Sequence, residues 1–174
     1  KLVELCPEVE LFGMGGTLMQ AAGVRLLFDP TAFSAVGPVE ALRSVAVLRS
    51  VLSMAVSSLD LESPDCLVLI DFPEFNMRLA RQAAKRGIKS VYLFAPTAWA
   101  WRKGRAATAA KTVSKVASVF PLEARVYREA GACVEFVGHP LLDLVRPATQ
   151  EARGAAREEL GLASAQEVVG ILPG

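Results

Sequence analysis

Apolar positions along the chain fall into two kinds of stretch, and the two alternate. Short unbroken runs, such as Cys66-Leu-Val-Leu-Ile70 and Ser90-Val-Tyr-Leu-Phe94, are each followed by a segment in which apolar residues recur at helical spacing. An unbroken run bounded by turn residues reads as a strand buried on both faces of a parallel sheet. Strands are expected at Val9 to Phe12, Val24 to Phe28, Cys66 to Ile70, Ser90 to Phe94, Ser118 to Phe120, Val134 to Val137 and Val168 to Leu172. Helices are expected at Thr17 to Ala22, about Val39 to Leu59, Phe75 to Arg86 (stopped by Gly87), Arg102 to Val116, Pro121 to Gly131 and Glu151 to Leu160. Strand–helix alternation of this kind predicts an α/β chain built on a Rossmann-like, doubly wound parallel sheet.

The helix at Val39 to Leu59 carries two apolar stripes: Leu42, Val45, Leu52, Val56 and Leu59 on one side, Val47, Val51 and Met54 on another. The first stripe is an ordinary core face. The second fits cover from the same domain or an oligomer partner, or, with Arg43 and Arg49 beside it, a lipid or membrane surface.

Composition narrows the class. Across 174 residues, 52% are hydrophobic and 21% charged, which supports one ordinary core and excludes global disorder. A formal net charge of +1 and no polybasic run give no case for a nucleic-acid partner. Cys6, Cys66 and Cys133 stand far apart with no Cys-x-x-Cys pair, so they read as small buried residues in a reducing compartment. With a single histidine, no metal site is expected, and no cofactor is implied. No secretory signal is evident, and the chain reads as cytoplasmic. Lys1 to Leu5 reads as the tail of a helix and Gly174 closes a strand, which suggests a piece of a longer protein.

Candidate chemistry gathers at the carboxyl ends of the expected strands, where open α/β sheets bind ligands. Asp71 ends the Cys66–Ile70 run, beside what should be a dry core, and is followed by a proline-interrupted turn to Asn76. Asp71 or Asn76 capping the next helix is the plain alternative to a catalytic acid. Gly13-Met-Gly15-Gly16 sits between a strand and a helix and offers either close backbone approach or a simple tight turn. Trp99 and Trp101, followed at once by Arg102, form a wall suited to a sugar or phosphate, although one indole alone would serve as a loop anchor. His139, in Gly138-His-Pro140, suits either a base or phosphate ligand, or a bond to the turn's own backbone.

With these loops in place the chain resembles the lipid-A-disaccharide synthase family. The resemblance rests on Gly15-Gly16-Thr-Leu-Met19, Val36-Gly-Pro-Val-Glu40, Ile70-Asp-Phe-Pro-Glu-Phe-Asn76, Pro96-Thr-Ala-Trp-Ala-Trp-Arg102, Phe120-Pro-Leu-Glu123, Phe136-Val-Gly-His-Pro140 and Leu172-Pro-Gly174. It implies a GT-B glycosyltransferase of two Rossmann-like domains. Residues 1–145 would be the acceptor-side domain without its first strand, and 146–174 a linker, a helix and the first strand of the donor side. The implied reaction transfers diacylglucosamine from UDP to a diacylglucosamine 1-phosphate acceptor, with inversion, at the cytoplasmic surface of the inner membrane. A homodimer is compatible with it.

Inverting transfer needs a base for the attacking hydroxyl, and Asp71, expected to be partly buried at a strand's carboxyl end, is the residue placed for it. Glu74 and His139 stand behind it, and Gly15, Gly16, Asn76, Trp99, Trp101, Arg102 and His139 are substrate contacts. The family has Pro-Arg-Met after its two glycines, where this chain has Thr17-Leu18-Met19, and Asp where this chain has Glu74. Another UDP-sugar enzyme of the same fold (an epimerase or a soluble-acceptor transferase) and a non-catalytic Rossmann-like binding module are the competing expectations. The piece alone is expected to be inactive.

Overall fold

A computed structural model of the protein describes residues 2–29, 38–96, 98 and 103–171, without the side chains of 38–46 and 103. The chain divides into two compact units, Lys1–Val137 and Gly138–Gly174.

The first unit runs α1 (Leu2–Leu5), β1 (Phe12–Met14), α2 (Thr17–Ala21), β2 (Arg25–Phe28), α3 (Pro38–Glu62), β3 (Cys66–Ile70), α4 (Pro73–Lys85), β4 (Lys89–Leu93), α5 (Lys103–Thr112), β5 (Lys115–Ser118), α6 (Pro121–Glu129) and β6 (Val134–Phe136). The second contains α7 (Leu141–Leu144) and α8 (Gln150–Glu159). All strand pairs are parallel: β1 with β2 in one sheet, and β3-β4-β5-β6 in sequence order in the other. The α/β Rossmann-like class expected from the alternating pattern is the class observed.

Local chemistry explains the helix boundaries. Both α4 and α6 open on proline, Pro73 and Pro121, with an acid in the first turn and a cation in the last. Proline's fixed φ and missing N–H suit that position, and the charges complement the helix dipole. Chain reversal after each helix falls to a glycine in the left-handed region, Gly87 (φ +74°) and Gly131 (φ +84°). In the second unit, Thr149 Oγ1 accepts the Ala152 N–H at 3.2 Å and starts α8.

The core lies on one face of the four-stranded sheet. Register places Leu69, Tyr92, Val116 and Val134 in one row across β3 to β6. The first three are essentially inaccessible, and Val134 packs partly against them. Small residues on the covering helices, Ala80, Ala83, Ala106 and Ala109, let helix and sheet approach closely, and Ala55 and Leu59 of α3 join the same cluster. Burying a Val- or Leu-sized side chain contributes about 1.5–3 kcal/mol, so this row anchors the unit. Arg86, just past α4, grips Asp60 of α3 through two bonds of 2.7 and 2.9 Å. Glu123, buried at the start of α6, accepts the Ser118 hydroxyl at 2.7 Å and the Val119 N–H at 3.3 Å.

Several expectations change. β3 is not buried on both faces: Leu69 is 1% exposed, but Val68 and Ile70 are 55% and 53% exposed, because only one face of this strand is covered among the described residues. Cys6, Cys66 and Cys133 are free, and all are exposed rather than buried. The basic helix ends at Thr112 and the next strand comes earlier, at Lys115–Ser118. β-Branched Val113 and Val116 end the alanine run, and Ser114 N–H donates to the Ser90 carbonyl at 3.0 Å, starting the ladder. Residues 168–171 form no strand; a strand needs a partner ladder, and no described residue supplies one. Leu172 lies outside the described residues. On the second stripe of α3, Val51 is buried while Met54 is 46% exposed, so the stripe is covered only in part. Leu42, Val45 and Arg43 fall where side chains are not described.

Candidate active site

The carboxyl end of β3 is built in an unusual conformation. Asp71 (φ +49°) and Phe72 (φ +40°) are consecutive non-glycine residues in the left-handed region. Each costs about 1–2 kcal/mol against the right-handed alternative, so the turn persists only if its surroundings hold it. Four hydrogen bonds do so. The Asp71 N–H donates to the Leu93 carbonyl at 3.1 Å, continuing the β3–β4 ladder by one residue. The Asp71 carbonyl accepts from the Tyr92 hydroxyl at 2.8 Å and from Asn76 Nδ2 at 2.7 Å. Asn76 Nδ2 also donates to the Ile70 carbonyl at 3.0 Å.

This arrangement removes the capping reading of Asp71 and Asn76. Phe72 is the N-cap of α4, and no side chain caps that helix, so neither Asp71 nor Asn76 is a capping residue. Among the described residues the Asp71 carboxylate makes no hydrogen bond or ion pair, and the residue is exposed rather than partly buried as expected. The Asn76 amide is spent on backbone carbonyls. Glu74 is also committed: its Oε1 lies 3.2 Å from Arg105 of α5, pairing the first turns of two adjacent helices.

Phe94 (φ +53°) ends β4 in the same strained way. Beyond it Ala95, Pro96 and Ala98 are buried, and the Pro96 carbonyl accepts the hydroxyl of fully buried Tyr127 at 2.6 Å. These residues lead in sequence to the Trp-Ala-Trp-Arg stretch. Trp99, Trp101 and Arg102 themselves lie outside the described residues. Burial raises the phenols of Tyr92 and Tyr127 well above their ordinary value, with the charge of Asp71 adding to Tyr92 and that of Glu123 to Tyr127. Neither tyrosine was singled out from the sequence. A tyrosine inside an otherwise apolar buried strand must find a partner for its hydroxyl, and that signal could have found Tyr92.

The glycine turn is tight for a packing reason. A Cβ on Gly15 would sit 2.1 Å from Met19 Sδ, so the methionine can fold back under the turn only because the glycine has no side chain. Gly16 caps the five-residue α2 in an extended conformation, with no left-handed residue at the turn. In the second unit, His139 Nδ1 accepts the Leu141 N–H at 3.2 Å, the local bond that the Pro140 turn allows. Among the described residues no group of three or more His, Cys, Asp or Glu is placed to hold a metal ion.

Outside the strand ends, α3 and α4 enclose a groove of about 530 Å³. Leu52 and Val56 form its apolar floor, and Arg49, Arg78, Arg81 and Lys85 its rim, with no acid in the lining. Among the described residues none of these four cations is in an ion pair. No helix among the described residues is long and apolar enough to cross a membrane.

Comparison with known proteins matches residues 1–174 to the model of one family, described as lipid-A-disaccharide synthetase. The chain belongs to the lipid-A-disaccharide synthetase family. It is 42% identical over 172 residues to the lipid-A-disaccharide synthase of Geobacter sulfurreducens, covering 99% of this chain and 44% of that protein. The enzyme of the same name from Syntrophus aciditrophicus is 38% identical over 173 residues, covering 99% and 45%. Lipid-A-disaccharide synthase 1 of Legionella pneumophila strain Philadelphia 1 is 36% identical over 175 residues, covering 100% and 45%. The chain thus spans less than half the length of these relatives. Leu18, which follows the two glycines in Thr17-Leu18-Met19, is 86% exposed.

Proposed function

We propose that this chain is the acceptor-side part of a lipid-A-disaccharide synthase, in which Asp71 is the general base. The observation that carries the reading is the Asp71 turn: an exposed carboxylate, without a described partner, on a backbone held in a costly conformation at a strand's carboxyl end. Inverting transfer needs a group that removes the proton from the attacking sugar hydroxyl while UDP departs from the opposite face. A carboxylate left out of the surrounding ion pairs, and aimed by a rigid sheet, suits that task. The donor is UDP-diacylglucosamine and the acceptor diacylglucosamine 1-phosphate, with Trp99, Trp101 and Arg102 taking the acceptor's sugar and phosphate and Gly15, Gly16 and His139 in lesser contacts. The nucleotide site belongs to the part of the relatives that this chain does not span.

Acylated substrates place the enzyme at the cytoplasmic face of the inner membrane. The cationic rim of the α3/α4 groove supports a peripheral contact there, since basic clusters are drawn to anionic lipid surfaces. The competing readings, a soluble-substrate enzyme of the same fold or a binding module, explain neither the strained acid nor the family membership.

The test is Asp71→Asn in the full-length enzyme, assayed for disaccharide formation. A correctly folded variant should lose about 10²–10⁴-fold in turnover, the range of a positioned acid–base group. Turnover equal to wild type would remove Asp71 from the role.

A further inference from the structure

Asp71 has the fold's attention twice over. Its carbonyl oxygen accepts two side-chain donors from two different elements: the Tyr92 hydroxyl on β4 and the Asn76 amide on α4. Two donors fill both lone pairs of a peptide oxygen. Both residues flanking that peptide have positive φ, and neither is glycine. The positive φ of Asp71 sets the direction of its Cα–Cβ bond relative to β3, and a return to the ordinary negative region would re-aim the carboxylate; the two donors on its carbonyl oppose that return. Among the described residues Phe72 does little to oppose such a change, since it is 49% exposed and its ring stacks on Phe75 with centroids 5.8 Å apart.

We propose that Tyr92 and Asn76 are positioning residues for the transfer reaction, a two-donor clamp that locks the Asp71–Phe72 peptide and holds the Asp71 carboxylate in its productive direction. This rests on the reading of Asp71 as the base.

Three features make the clamp rigid. Tyr92 is wholly buried in the second strand of the four-stranded sheet, in register with Leu69, so its ring has no room to swing. Asn76 is fixed at both ends, since its backbone N–H donates to the Phe72 carbonyl at 3.0 Å while its amide spans the Ile70 and Asp71 carbonyls. The Tyr92 phenol is a protonated donor at ordinary pH, as any tyrosine is, and burial only extends that range upward. Catalytic geometry is sensitive on this scale, because a misplacement of about 1 Å in a reacting group costs up to about 10²-fold in rate.

The experiment is a pair of mutant cycles in the full-length enzyme: Tyr92→Phe and Asn76→Ala, each alone and each combined with Asp71→Asn, with kcat and KM measured for all. Each single variant should lower kcat about tenfold, roughly 1.4 kcal/mol in barrier, with KM within about twofold. On the Asp71→Asn background neither should lower the residual rate further, because a residue that acts through Asp71 has nothing left to act on. A purely structural role would instead lower both backgrounds in the same proportion, and that result overturns the proposal. So does a kcat within about twofold of wild type for both single variants. Should Tyr92→Phe fail to fold, Asn76→Ala at its half-buried position decides by the same criteria. If Asp71→Asn alone keeps wild-type turnover, the assignment of the base has failed. If Asp71→Asn is inactive and the clamp variants are not slowed, only the clamp has.

Discussion

The Arg105 guanidinium lies 3.2 Å from the Glu74 carboxylate, so the acid nearest to Asp71 in sequence has a partner, while the Asp71 carboxylate has none among the described residues. The pair is solvent-facing, with Glu74 65% and Arg105 32% exposed, so its contribution to stability is at most about 1 kcal/mol. On the proposed reading, in which Asp71 is the base, Glu74 has no part in the proton transfer. Glu74→Gln in the full-length enzyme is therefore expected to keep kcat within about threefold of wild type, as loss of one exposed pair should. Steady-state kinetics beside Asp71→Asn checks it, and equal losses in the two variants would contradict the division of labour.

The two tyrosines, the only ones in the chain, make an optical prediction. Both phenols are raised above the ordinary value near 10 by burial. In the unfolded chain the phenols lose their protons first, so the folded state binds more protons from about pH 10 upward. The stability they contribute is fully present below that pH and is lost as pH rises through the folded values. Alkaline titration followed by tyrosinate absorbance should show little ionisation near pH 10, then a rise that coincides with loss of far-UV circular dichroism. Reversible ionisation of either tyrosine near pH 10 with the fold intact would contradict the burial.

The α3/α4 groove predicts a salt-dependent contact. A basic side chain near an anionic bilayer is worth about 1 kcal/mol, so reversing Arg81 and Lys85 together should weaken vesicle binding by at least about tenfold. The measurement is sedimentation of the full-length enzyme with phosphatidylglycerol vesicles, with phosphatidylcholine as the neutral reference. Wild-type binding should fall as salt is raised, because exposed charges are screened over about 10 Å at 0.1 M. Equal binding of the Arg81→Glu, Lys85→Glu double variant and wild type would place the contact elsewhere.

Much of the fold was legible because it depends on local order. The Cys66–Ile70 run is β3 to the residue, and Pro121 opens α6 where a proline was expected to open a helix. Asp71 could be found for a similar reason: a carboxylate directly after five apolar residues is a local anomaly. What could not be read depends on which elements meet. The exposed face bearing Val68 and Ile70 looks as apolar in sequence as the covered face bearing Leu69, since periodicity reports a strand but not what lies over it. The bonds from Tyr92 to Asp71 and from Tyr127 to Pro96 join residues 21 and 31 positions apart, which no motif spacing encodes. The alanine-rich segment before β5 reads as one long helix because alanine and lysine favour helix. Pairing with β4 on one side and β6 on the other pulls Lys115–Ser118 into the sheet.

The bare side of β3 has a practical corollary for handling the polypeptide. β3 is the outermost strand of its sheet among the described residues, five residues long and without a single charge. Natural sheets guard such borders with lysine, proline or a bulge, because an unguarded one invites a neighbouring molecule to add its own strand. Concentrated preparations of this polypeptide should therefore stack border to border, and a lysine in place of Val68 on the open side is the conservative way to keep them apart.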